Sequence, residues 1–309
     1  MPLDPDAVRA GRLPIPVLTG PTAVGKTALS LDAAERMGAE IISADSRQVY
    51  RRMTIGTAKP TAAELDRVPH HFIDELDLGD PFSAGAFARA ATQRIRAILE
   101  RGRLPLVVGG STLYLHALIH GLADIPDVAP AVRRAIEERL RQQGGEALYA
   151  ELQRHDPDAA ATLDPTKTQR LVRALEVLEA TGRPLSSFQQ RQPASPFRYQ
   201  VVVLHRERAE LYERINRRVL AMLEAGLLDE VRAILAEGVD PRTNALRTIG
   251  YREPIRHLRG DIGYGEMVRQ IQRNSRRYAK RQLTWFRREP DWRWVPVGDA
   301  DRVSLFDLQ

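Results

Sequence analysis

The 309-residue chain contains no cysteine. Disulfide frameworks and thiolate zinc sites are therefore excluded, and the absence agrees with a cytoplasmic location, which is the expectation. No stretch approaches the ~20 consecutive apolar residues that a membrane-spanning helix requires. The opening MPLDPDAVRAGRLPIPVL carries acids early and has no apolar run of adequate length, so no signal peptide is expected. Internal repeats and low-complexity tracts are also missing.

What is abundant is positive charge. Lysine and arginine number 46 against 40 acids, a balance of +6, with an isoelectric point near 9.8. The excess is concentrated late, in RQIQRNSRRYAKRQLTWFRR (Arg269 to Arg288). A clustered basic excess points to a polyanionic partner, most often nucleic acid, whereas a small overall balance serves solubility alone equally well. The length suits one large α/β domain, or a core with a smaller second unit.

PIPVLTG reads as a short buried strand, KTALSLDAAERMG as a helix closed by Gly38, and AEIISADS as a second strand ending at Asp45. Strand, loop, helix, strand is a βαβ unit and implies a parallel sheet with both faces covered. Ser83 is placed to cap AGAFARAATQRIRAILERG. LPLVVGG is a third strand, followed by STLYLHALIHG, and YQVVVLH and WRWVPV read as later strands. Between Gly121 and Phe197 the period is helical throughout. The first strand and first helix are joined by a G-x-x-x-x-G-K-[ST] run, so the fold expected is a P-loop NTPase-like α/β core with a parallel sheet flanked by helices. Residues 1–120 and 198–309, with the C-terminal helices, form that core, and 121–197 form a mostly helical insertion. GLADIPDVAP and RQPASPF are the turn-rich boundaries of the insertion.

LTGPTAVGKTALS holds the pattern G-x-x-x-x-G-K-[ST], from Gly20 to Thr27. Glycines at 20 and 25 let several N–H groups turn toward one anion, and the following helix adds the positive end of its dipole. Lys26 supplies a point charge, and the Thr27 hydroxyl can ligate Mg²⁺. The strand LPLVVGG ends in Gly109, Gly110 and Ser111, without the acid that many P-loop NTPases use to help hold the metal. Asp45 can substitute. It also stands at the carboxyl edge of a strand, where open α/β sheets bind ligands, although a capping or turn role explains a single Asp equally well. In ELYERINRRVLAML, Arg214 and Arg218 lie four apart on one helix face and suit a diphosphate; solvated surface arginines are the alternative. At 100° per residue Arg269, Arg273, Arg276, Lys280 and Arg287 fall within about 60° of one another, with Met267, Ile271, Tyr278 and Trp285 opposite. The pair His70–His71 makes a poor metal site without cysteine.

GPTAVGKT, DSRQVYRRMTIGTAKP, HHFIDELD, VGGSTLYLHALIHGL, QRLVRALEV, RTIGYRE and YAKRQLTWFRR occur in order. Together they resemble the tRNA dimethylallyltransferase (tRNA isopentenyltransferase) family in its bacterial form, from about Pro16 to Arg288. Ser111 stands where the family usually has Thr, and keeps the hydroxyl. The zinc finger of some eukaryotic relatives is excluded by the missing cysteines. The resemblance implies transfer of a dimethylallyl group from dimethylallyl diphosphate to N6 of the adenosine 3′ of the tRNA anticodon. It implies Asp45 as general base. It also implies a diphosphate site at Gly20, Pro21, Thr22, Ala23, Val24, Gly25, Lys26 and Thr27, with Mg²⁺ at Thr27. Implied tRNA contacts are Asp45, Ser46, Arg47, Gln48, Ser111, Arg133, Gln169, Arg170 and Arg173, then Arg247, Gly250, Tyr251, Arg252, Lys280, Arg281 and Arg287. A monomer is expected. A nucleoside or nucleotide kinase would share the loop and core but has no need of the basic helix. A non-catalytic RNA binder would leave the phosphate loop without a use.

Overall fold

The computed structural model describes residues 4–123, 125, 128–188, 195–299 and 305–306. These fall into two compact units. One comprises Met1–Ile119 with Pro196–Gln309, the other His120–Ser195.

In the larger unit the chain runs α1 (Pro5–Arg9), β1 (Ile15–Thr19), α2 (Lys26–Met37), β2 (Ala39–Ser43), α3 (Ala62–Arg67) and β3 (His70–His71). It continues through α4 (Ala84–Glu100), β4 (Leu104–Gly109) and α5 (Thr112–His120). The six strands form one parallel sheet, ordered β3-β2-β4-β1-β5-β6 once β5 (Tyr199–His205) and β6 (Arg293–Pro296) are added. Every residue of β1 and β2 is buried, as strands covered on both faces require. The expected α/β core with helices on both faces of a parallel sheet is therefore observed. Ser83 caps α4, accepting the Ala86 N–H at 3.1 Å. Helix α3 was not anticipated, although Thr61 and Glu64 form a capping box that the T-x-x-E pattern spells out.

Strand order fixes where a ligand can go. β1 sits between β4 and β5, so the chain leaves β1 toward one side of the sheet early and toward the other later. Such a reversal opens a crevice at the carboxyl ends of the strands. Register brings those ends level: Thr19 pairs with Gly109 and with Val203, and Ser43 with Val108. The Thr19 hydroxyl donates to Gly109 O at 2.8 Å. Gly109 also lies against the segment leaving β2, where a Cβ added to it would come 2.2 Å from Ala44 O.

After β5 come α9 (Arg208–Glu224), α10 (Leu227–Ala236), α11 (Arg252–Leu258) and α12 (Tyr264–Phe286). Val219, Met267 and Ile271 pack α9 against α12.

The smaller unit is helical, with α6 (Pro130–His155), α7 (Pro157–Thr162), α8 (Thr168–Thr181) and a 3₁₀ turn at Leu185–Phe188. Gly144 is non-helical and breaks α6 in two. Ile136, Leu148, Leu152, Leu171 and Leu175 form its core. Asp156 is buried at a corner, its carboxylate accepting the N–H groups of Ala159 and Ser186 at 3.1 and 3.0 Å. Residues 191–194 of the expected closing boundary lie outside the described residues.

Gly109→Ala should lower unfolding stability by about 3 kcal/mol, because the methyl group meets main chain that cannot rotate away. A urea midpoint equal to wild type would contradict this.

Candidate active site

The β1–α2 loop is wrapped by cations on its carbonyl side. Lys26 Nζ donates to Gly20 O and Pro21 O at 2.9 Å each. Arg214 Nε donates to Ala23 O at 2.9 Å, and Arg206 Nε to Val24 O at 2.8 Å. Ala23 holds the left-handed conformation (φ 64) that this winding demands. Helix α2 starts from Gly25 without a side-chain cap, so no capping side chain takes up its first-turn amides, and the positive end of its dipole suits an anion.

A residue of α12 clamps this loop to the end of β4. Gln282, almost wholly buried, accepts the Thr22 N–H at 2.9 Å and donates from Nε2 to Gly110 O at 2.7 Å.

In front of the loop lies a cavity of about 860 Å³. Thr22, Lys26 and Thr27 line one end with Asp45, Arg214 and Arg218. Burial, and next the charge of Arg218, lower the Lys26 ammonium to a pKa of about 8, against the opposing pull of Asp45. Burial likewise lowers Arg218, again opposed by Asp45. The Asp45 carboxylate is aimed by its own turn: Oδ1 accepts the N–H groups of Arg47 and Gln48 at 2.8 and 3.3 Å. Ser46 N–H donates to Ser111 Oγ at 2.9 Å, tying that turn to the residue after β4. Tyr278 faces the same space, its phenol pushed up to about 12 by burial and then by Asp45. Ile215, Val219, Met222, Ile249 and Ile271 give the cavity an apolar side.

The donor set suits Mg²⁺, which keeps several waters and takes one or two protein oxygens beside substrate phosphates. Thr27, beside Lys26, would offer such an oxygen from its hydroxyl, and Asp45 lines the same cavity. His116 and Glu289 also bring ligand atoms within 4.8 Å of each other, but neither lines the cavity. His71 instead pairs with Glu40 at 2.8 Å, and His70 Nδ1 lies 2.7 Å from Val68 O.

Of the residues singled out in the sequence, the cavity gathers Thr22, Ala23, Gly25, Lys26, Thr27, Asp45, Ser46, Arg47, Gln48, Ser111, Arg214, Arg218, Arg247, Gly250, Arg252 and Arg281. Gly20, Pro21 and Val24 form the back of the loop and do not line it, and Tyr251 is fully buried. Arg47 lines the cavity while donating to Asn244 O at 2.9 Å. Lys280 and Arg287 lie on the exposed face of α12 with Arg269 and Arg273, whereas Arg276 is drawn to Asn216 of α9. Arg133, Gln169, Arg170 and Arg173 belong to the smaller unit. There Gln169 and Arg170 are exposed, and Arg133 and Arg173 both pair with the buried carboxylate of Glu176.

Arg206, Ser275 and Gln282 also belong to this site, though none is among the candidates in the sequence. Arg206 carried a usable signal, being basic and directly past a strand at the ligand edge. Gln282 carried none, because a glutamine within a basic helix looks like surface.

The sequence pattern of the IPP transferase family matches residues 48–289. The chain is 63% identical over 296 residues to a tRNA dimethylallyltransferase of Salinibacter ruber, covering 96% of this chain and 91% of that one. Among solved structures, it is similar to the tRNA isopentenylpyrophosphate transferase of Bacillus halodurans. There the TM-score is 0.67 and the identity 43%, over 92% of this chain and 89% of that one. A eukaryotic dimethylallyltransferase acting on tRNA superposes with a TM-score of 0.74 at 26% identity, covering 91% of this chain and 73% of that one.

The lowered Lys26 pKa sets a pH dependence. A diphosphate bound there would favour the charged ammonium, so its affinity should be fully present below about 8 and fall as pH rises through that value. Calorimetry with inorganic diphosphate at neutral and alkaline pH should show this weakening in wild type. Lys26→Arg, which stays charged, should weaken less over the same range. Parallel curves for the two proteins would refute the assignment.

Proposed function

The chain belongs to the IPP transferase family, and from that premise we propose that it is a tRNA dimethylallyltransferase. It transfers a dimethylallyl group from dimethylallyl diphosphate to N6 of the adenosine 3′ of the anticodon, and releases diphosphate. One observation carries the reading: the phosphate loop and Asp45 open into a single cavity that also has an apolar side. A kinase needs an anion cradle, but not a cradle flanked by Ile215, Val219, Met222, Ile249 and Ile271.

The chemistry follows from where charge develops. An allylic carbon bears cationic character readily, so the larger task is to stabilise the departing diphosphate with preorganised donors. Lys26, Arg214, Arg218 and the first-turn amides of α2 meet it. Mg²⁺ held at Thr27 would add further charge neutralisation when bound. The five-carbon chain lies along the apolar side, away from water that would compete with the amine.

N6 of adenine is too weak an acid for any carboxylate to deprotonate before attack. As the C–N bond forms the nitrogen becomes cationic, and its proton then passes to Asp45. The N–H groups of Arg47 and Gln48 fix Oδ1 and so help aim the carboxylate. Both departing charge and departing proton are therefore received by groups lining one space. The cavity, about 860 Å³, has room for a base and a short prenyl diphosphate together. A stacked adenine must be extruded to enter it.

The nucleic acid is recognised by Ser46, Arg47, Gln48, Ser111, Arg247, Gly250, Arg252 and Arg281 around the cavity, whereas Tyr251, fully buried with its hydroxyl on Glu230, supports that wall from behind. Lys280 and Arg287 on α12 contact the backbone. Arg133, Gln169, Arg170 and Arg173 of the smaller unit contact the anticodon loop. In that unit Glu176 holds Arg133 and Arg173 in place. The protein acts as a monomer in the cytoplasm. No helix among the described residues is long and apolar enough to cross a membrane.

Radiolabelled dimethylallyl diphosphate incubated with unmodified tRNA should transfer label to the RNA, whereas ADP formation from ATP and nucleosides would mark a kinase instead. Asp45→Asn should lower kcat by ~10²–10⁴ while tRNA affinity changes little; equal losses in both would reduce Asp45 to a positioning role. Replacing Lys280 and Arg287 by Ala should each lower the slope of log K against log salt by about 1, measured by filter binding. An unchanged slope would remove α12 from the interface.

A further inference from the structure

Glu230 of α10 does not line the cavity, yet its carboxylate gathers hydrogen bonds from two of the cavity's walls. Oε2 accepts the backbone N–H groups of Thr54 and Ile55 at 2.9 and 2.7 Å. Oε1 accepts the Gly56 N–H at 3.2 Å and the Tyr251 hydroxyl at 2.6 Å. Three consecutive amides converging on one anion make a main-chain nest, filled here by the protein's own side chain.

Gly56 and Thr57 belong to one wall of the cavity, and Gly250 and Arg252, the neighbours of Tyr251, to the other. The two walls touch at the nest, where a Cβ on Gly56 would come 2.4 Å from the Tyr251 ring. Burial and the adjacent Glu230 carboxylate keep the Tyr251 phenol well above its ordinary pKa, so it remains a donor.

The far side of the same loop is held by Gln48, whose Nε2 donates to Thr57 O and Ala58 O at 3.3 and 3.1 Å. Ala58 is left-handed there (φ 46), a conformation that needs support from its surroundings. Ser43 Oγ donates to Gln48 Oε1 at 3.2 Å, and Gln48 N–H ends on Asp45 Oδ1. A continuous line of bonds and main chain thus runs from Glu230 through residues 54–58 and Gln48 to Asp45.

We infer that Glu230 is a positioning residue for prenyl transfer, anchoring the 54–58 loop against Tyr251 so that Gln48 holds the Asp45 carboxylate toward the incoming amine. This rests on the reading of Asp45 as proton acceptor. Glu230 itself touches no reacting atom. Gln in its place keeps the size but loses the charge that binds the three amides.

The test is steady-state kinetics on full-length wild type, Glu230→Gln, Asp45→Asn and the double variant, with dimethylallyl diphosphate and unmodified tRNA, alongside thermal unfolding. Glu230→Gln should lose kcat on the order of 10²-fold. Its KM for the prenyl diphosphate should stay within about twofold, since the Lys26 loop is not part of this line. In the Asp45→Asn background the same change should cost nothing further, because a residue acting through another has no effect once that one is gone. Wild-type kcat in Glu230→Gln, or losses that multiply in the double variant, would overturn the inference. Should Glu230→Gln not fold, Tyr251→Phe deletes one bond of the nest and should give a smaller loss that again disappears with Asp45→Asn. A wild-type protein that transfers no label would instead overturn the reading of function.

Discussion

Lys26, Arg214 and Arg218 are held close together around the end of one cavity, where burial weakens the hydration that would otherwise tolerate them. Like charges in such a place repel, and Asp45 relieves the repulsion only in part. The fold keeps them there by giving cations main-chain acceptors: Gly20 and Pro21 for Lys26, Ala23 for Arg214, and Val24 for Arg206. The result is a loop whose carbonyls face arginine and lysine while the start of α2 faces the cavity. An anion entering it completes a balance that the protein leaves short.

That arrangement depends on the sheet. Level carboxyl ends of β1, β2 and β4 put the phosphate loop, Asp45 and Ser111 at one edge, and Gly109 lets the segment leaving β2 approach main chain to main chain. Gln282 then joins the loop to the end of β4 from a helix that contributes nothing to the sheet. Helix α12 therefore has two roles set by its two faces. Its outer face carries Lys280 and Arg287, and its inner face carries Ile271, Ser275, Tyr278 and Gln282 into the cavity.

The inner face shows where reading the chain stops short. Periodicity placed Met267, Ile271, Tyr278 and Trp285 opposite the basic strip. Met267 is indeed buried against α9, but Ile271 and Tyr278 line the cavity as well. A periodic pattern reports that a face is withdrawn from solvent, and says nothing of whether protein or a ligand covers it. Gln282 and, apart from its bond to the Tyr251 hydroxyl, Glu230 were hidden for a related reason: both act by accepting or donating to main-chain groups more than 170 positions away. Main-chain partners leave no complementary side chain in the sequence to suggest a pairing.

The sequence by itself determined the βαβ entry, the parallel core, the helical character of the segment that holds α6, α7 and α8, and the glycine-spaced loop from which α2 starts. Each of these is local, set by apolar runs, glycine spacing and caps within a few residues of one another. Only the tertiary structure decided which cations share the cavity, which glutamine and glutamate hold its walls, and that one side of the cavity is apolar. Those outcomes depend on strand order and on which helix faces meet, quantities that no local window of the chain contains.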